Sequence, residues 1–139
     1  MATISVAEFK TRLETLCTKG GGRGLPRSGH DQQILFKSIV LTLDSQRAYT
    51  ETDLNQALGQ WLVQVGQTIE IDHVSLRRHL VDEGYISRDS AGGLYTVSTA
   101  ASDQFDPGID ALDPATVIIE AQLERERKKQ AYLDRQDGV

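Results

Sequence analysis

The chain has 139 residues, 39% apolar and 25% charged, which suits one ordinary globular domain with appendages. No apolar run is long enough to span a bilayer, and Glu8 and Lys10 interrupt any secretory leader, so a cytoplasmic protein with no membrane partner is expected. The single Cys17 excludes an internal disulfide and a multi-cysteine zinc site.

The net charge of −5 is unevenly spread: +1 over residues 1–22, −2 over 23–97 and −4 over 98–139. Strong non-specific nucleic-acid binding needs several phosphate-neutralising Lys or Arg on one face, and the seven basic residues of 23–97 supply a small local patch at most.

Ser5-Val6-Ala7-Glu8 forms a capping box, with Ile4 and Phe9 at the staple positions. Phe9, Leu13, Leu16 and Cys17 continue an apolar face, predicting a helix over 6–18 that covers the core. The glycine-rich stretch 18–29 is a linker. It lacks the Lys-Ser or Lys-Thr of a phosphate loop and follows a helix where such a loop follows a strand. Ile34, Leu35, Phe36, Ile39, Val40, Leu41 and Leu43 predict a central helix over 31–44, capped by Asp31 or Ser28.

Thr50-Glu51-Thr52-Asp53 starts the next helix, to about residue 63, with Tyr49 and Leu54 as its staple. Trp61 shares the stripe of Leu54, Leu58 and Val65, which assigns it to core packing. A third core helix runs from Asp72 or His73 to Glu83 and ends at Gly84. Residues 85–88 and 94–97 alternate as short strands around the turn 89–93. After a polar, acidic stretch over 98–113, Asp113-Pro114 caps a final helix with a favourable Glu124–Lys128 pair. Val117, Ile118 and Ala121 are its candidate homodimer or docking surface.

The expected fold is mainly α with a small β-hairpin: a winged helix-turn-helix with an extra N-terminal helix and a C-terminal tail helix. Its divisions are an N-terminal helix (1–22), the winged-helix domain (23–97), and an acidic linker with the last helix (98–139).

On the third core helix, Val74, Leu76, Leu80 and Val81 share one arc that also contains Arg77, while Arg78 lies at its edge. A guanidinium turned toward a core needs a partner, and Glu51 or Asp53 at the start of the preceding helix is best placed to supply one. Arg78 is the candidate phosphate contact, with Arg88 of the wing. Ser75 and His79 are candidate base contacts, opposed by the negative charge of Asp82 and Glu83.

Gly24-Leu25-Pro26, the Tyr49-Thr50-Glu51 block with Asp53-Leu54-Asn55, the Leu76-Arg77-Arg78-His79-Leu80-Val81-Asp82 block, and Arg88, Gly93 and Tyr95 together resemble a bacterial domain family of unknown function. That family occurs alone or fused behind ArsR-type helix-turn-helix regulators, and the resemblance covers about residues 5–97. It implies a winged-helix fold and a presumed role in transcription, with Arg77 and Arg78 at defining positions. The chain departs from the family at Pro26-Arg27-Ser28-Gly29-His30-Asp31-Gln32-Gln33, where members are richer in Lys and Arg. It also has Thr96 where an aromatic residue is common, and a longer 64–71 loop.

His30, His73 and His79 lack the i,i+4 pairing of a helical zinc site, and no nucleophile elbow is present. No metal, cofactor or enzymatic activity is expected. Two functions remain: a transcription-regulator-like domain binding double-stranded DNA weakly or as a dimer, and a protein-interaction module of a regulatory complex that does not touch DNA.

Overall fold

The computed structural model describes residues 3–18, 24–98 and 102–137, leaving residues 19–23 of the glycine-rich connection outside the described residues. The elements run α1 (Val6–Thr18), α2 (Gly29–Leu41), α3 (Glu51–Gln64), α4 (His73–Asp82), β1 (Ile86–Arg88) and β2 (Tyr95–Val97). Two 3₁₀ turns (Ser102–Gln104, Pro107–Ala111) and α5 (Pro114–Asp137) follow. The fold is thus mainly α-helical with one two-stranded antiparallel hairpin.

Each helix start is set by its cap. Ser5 Oγ accepts the Glu8 N–H at 3.1 Å, Ser28 Oγ that of Asp31 at 3.3 Å, Thr50 Oγ1 that of Asp53 at 3.1 Å and Asp72 Oδ1 that of Ser75 at 2.7 Å. In the first box the Glu8 carboxylate reaches His30 Nε2 at 2.8 Å, tying α1 to α2. Helix α2 ends at Leu41, earlier than its apolar run suggests. Thr42 turns both its N–H (3.0 Å) and its hydroxyl (2.6 Å) onto the Ile39 carbonyl, tightening the last turn, while Leu43 stays buried beyond the helix.

Helix α2 is the central rod, with Ile34 to Val40 buried in succession. Trp61 is 1% exposed, and its Nε1 donates to Ser38 Oγ at 3.0 Å; Ser38 donates in turn to the Leu35 carbonyl at 2.6 Å. This chain satisfies the polar handle of the largest buried side chain. Helix α1 buries Phe9, Leu13 and Cys17, and Thr68 ties the α3–α4 connection to it by donating to the Leu16 carbonyl at 3.0 Å. Burial raises the Cys17 pKa to about 12, so the thiol stays protonated and chemically quiet.

The hairpin register pairs Ile86 with Val97, Ser87 with Thr96 and Arg88 with Tyr95. Asp89 Oδ1 accepts the Ala91 N–H at 2.9 Å, and Gly93 supplies the positive φ (68°) that closes the turn. Tyr49, just before the cap of α3, adds a one-residue antiparallel bridge to Tyr95. The hairpin is thereby anchored to the chain segment between α2 and α3.

The acidic stretch after the hairpin is less solvated than its composition suggests. Phe105 and Ile109 are buried, Phe105 meets Phe9 edge-on at 6.3 Å, and Ile4 forms a parallel bridge with Phe105. Helix α5 packs its first turns on α1 and α2, burying Val117 and Ile118. From 122 to 136 every residue is exposed, so the second half of α5 stands off the body as an arm. Among the described residues, no helix is long and apolar enough to cross a membrane.

Candidate functional site

Helix α4 lies against α3 and leads directly into the hairpin, and between α4 and the hairpin runs an open groove of about 210 Å³. Val74, Arg77, Arg78, Val81 and Asp82 line it from the helix, and Arg88 and Tyr95 line it from the hairpin. Positions 74, 77, 78 and 81 follow the i, i+3, i+4, i+7 spacing of a single helix stripe.

Arg77 closes one side of this groove, with its side chain 15% exposed. Its Nη2 lies 3.0 Å from Glu51 Oε1, its Nη1 donates to Asn55 Oδ1 at 2.5 Å, and its guanidinium carbon sits 5.8 Å from the Tyr95 ring centre. Glu51 and Asn55 are one turn apart on α3, so the planar fork spans that turn and joins α3, α4 and β2. Asp53 serves elsewhere: it holds Arg47 at 2.8 Å, and Arg47 stacks over Tyr49 at 4.5 Å. Asn55 and Tyr95 are partners that the sequence reading missed. The i,i+4 spacing of Glu51 and Asn55 was the available signal for the first.

Arg78 and Arg88 are both exposed, and neither makes an ion pair with a described carboxylate. Arg88 lies over the Tyr95 ring at 5.8 Å, so Tyr95 meets two guanidiniums, one from the helix and one from its own hairpin. Asp82 puts one carboxylate into the same lining and lowers its positive potential.

The structure brings Arg78 and Arg88 to one groove but leaves Ser75 and His79 outside its lining. The Ser75 hydroxyl donates to Asp72 Oδ2 at 2.9 Å, completing the cap of α4. The His79 ring stacks on buried Phe36, with centroids 6.2 Å apart and planes 20° apart. His79 is exposed, as expected, with one side of its ring against that core aromatic, and Val74, assigned to the apolar arc, is 44% exposed.

The surface expected for self-association also changes. Val117 and Ile118 are 3% and 1% exposed inside the chain's own core, because α1 and α2 cover that side of α5. They are unavailable to a second copy, and Ala121 is only half-exposed. The exposed apolar side chains of α5 are instead Ile119, Leu123, Tyr132 and Leu133. Glu124 pairs with Arg127 at 3.1 Å rather than with Lys128. No group of three or more potential metal ligands occurs among the described residues.

Residues 23–97, spanning α2 to β2, match the model of a family described as an uncharacterized protein conserved in bacteria, DUF2087. No curated protein and no solved structure matches the chain.

Proposed function

The chain belongs to the DUF2087 family of bacterial proteins, and from that premise we propose a regulatory winged-helix module that binds double-stranded DNA weakly or as a dimer. The module is 23–97, with α1 and residues 98–139 as appendages. The observation that carries this reading is the meeting of Arg78 and Arg88, from two different elements, at one open groove, while adjacent Arg77 is committed to Glu51. The element order supports it. Tyr49 acts as a one-residue strand between the first two rods of the module, pairing with the far strand of the hairpin, which then serves as the wing. Helix α4 enters the major groove with Arg78 outermost, and Arg88 meets backbone phosphate. Val74 joins Arg78 on the base-facing side; Ser75 and His79 stabilise the helix rather than read bases.

Two guanidiniums that pair with no described carboxylate give few phosphate contacts, so one copy binds poorly at physiological salt and a second copy raises affinity. The test is binding of a short duplex by the full chain across a salt series. Affinity falls with added salt, and Arg78→Ala flattens the log–log slope by about 0.9, the value of one phosphate contact. Absence of duplex binding at low salt sinks the reading.

A second reading, a protein-interaction module, is favoured by one observation. Ile119, Leu123 and Leu133 are 54%, 59% and 43% exposed on α5, at spacings of 4 and 10 that place them in one row. A second copy or another regulatory protein covers such a row. Self-association without duplex binding, seen by sedimentation, selects this alternative.

A further inference from the structure

The standing-off half of α5 has two unlike sides. In its first turns Pro114, Val117 and Ile118 are buried and Ala121 half-buried, a row at the spacing of one helix side. That row continues along the same side as Arg125, Lys128, Lys129, Tyr132 and Arg135, at steps of 3 and 4, all exposed. Where the helix leaves the body, its inner row therefore turns from apolar to basic. Between residues 125 and 135 there are five basic and two acidic side chains, a local excess masked by the −4 of the whole C-terminal segment.

The basic row is uncommitted. Arg127 pairs with Glu124 at 3.1 Å and lies on another side of the helix. Arg125, Lys128, Lys129 and Arg135 make no ion pair with a described carboxylate. Arg125 has like charges three and four residues ahead, an arrangement that opposes helix formation until counter-charge arrives. Tyr132 sits within the row, 59% exposed, its hydroxyl accepting from Gln136 Nε2 at 2.8 Å.

We propose that this row is a second, separate polyanion-binding surface that takes the phosphate backbone of duplex DNA. The inference shares with the reading above the identity of the partner but not the use of α4. Charge complementarity selects the occupant, because a line of cations along one helix side suits evenly spaced phosphates. An anionic membrane suits it less: a helix lying in the bilayer interface buries an apolar face opposite its cations, whereas here that face carries the carboxylate of Glu126 among Ile119, Leu123 and Leu133.

The test uses the full chain and a mixed-sequence duplex across a salt series. The variant carrying Arg125→Gln, Lys128→Gln, Lys129→Gln and Arg135→Gln keeps residues of similar helix propensity, and unchanged circular dichroism checks that the fold is kept. Its log–log salt slope is expected to fall by about 3.6, the value of four phosphate contacts, with at least tenfold weaker binding at low salt, while Arg127→Gln leaves the slope unaltered. A quadruple variant with the wild-type slope overturns the proposal. If Arg78→Ala flattens the slope and the quadruple variant does not, the α4 reading survives and this one fails; the reverse pattern keeps this surface and removes α4. Binding to phosphatidylserine vesicles but not to duplex, lost in the quadruple variant, also overturns it.

Discussion

Arg77 and Glu51 face each other at 3.0 Å across the α3–α4 contact, one side chain 15% exposed and the other 58%. This asymmetry sets what each contributes. The exposed carboxylate is screened by water, so Glu51→Gln is expected to lower stability by less than about 1 kcal/mol. Arg77→Ala also removes the Asn55 hydrogen bond and the Tyr95 contact, so a loss of about 1–3 kcal/mol is expected. Urea melts of the two variants check the ranking. Equal midpoints would mean that Arg77 does not brace the three elements.

Gly66 touches the face of Trp61: a Cβ there would fall well inside contact distance of Cζ3, and Trp61 is fully enclosed with no room to retreat. Gly66→Ala is expected to destabilise by about 1–3 kcal/mol through overpacking. Thermal melting reads this directly. Gly59 meets nothing within 4 Å, and Gly59→Ala, in mid-helix, is expected to stabilise.

The Ser75 N–H and hydroxyl hold the Asp72 carboxyl below the usual carboxylate range. A depressed pKa in the folded state gives stability that is complete above the unfolded value of about 3.9 and is lost as pH falls through the lower folded value. Asp72→Asn keeps a capping oxygen but removes the charge. Its melting temperature is expected to lie below wild type at pH 7 and to converge with it in acid. A gap that is constant with pH contradicts the assignment.

Ser75 and His79 have partners inside the fold, so their effects should appear in stability. Ser75→Ala and His79→Ala are expected to lower the melting temperature and leave the salt slope of duplex binding unchanged, the opposite of Arg78→Ala. Parallel melting and binding curves for the three variants make the comparison. A slope change in either of the first two would return them to the interface.

The helices were legible because their signals are local. Caps at Ser5, Ser28, Thr50 and Asp72 and apolar rows at steps of 3 and 4 fix starts and faces without knowledge of the rest of the chain. What the sequence hid was non-local. Phe105 lies in an acidic stretch, and the approach of Ile4 and Phe9 from about a hundred residues away in the chain explains its burial. His79 is exposed, as its place on the helical wheel implies, but its stacking on Phe36 of α2 is a contact that local spacing does not show. Val117 and Ile118 read equally well as an inner or an outer patch, and only the placement of α1 decides between them. The basic row on α5 is masked in the sequence by the acidic residues of the same segment, which lie before it or on other sides of the helix.

The bridge between Ile4 and Phe105 means that the segments on either side of the stretch that the family shares close on each other. Phe9, Leu13, Val117 and Ile118 are the apolar lining of that belt. A fragment cut to 23–97 would uncover the side of α2 that they shield, and such a greasy surface is expected to clump or to recruit a substitute cover. Whatever the module does in this protein, it works with its own lid fastened by residues the family match leaves out.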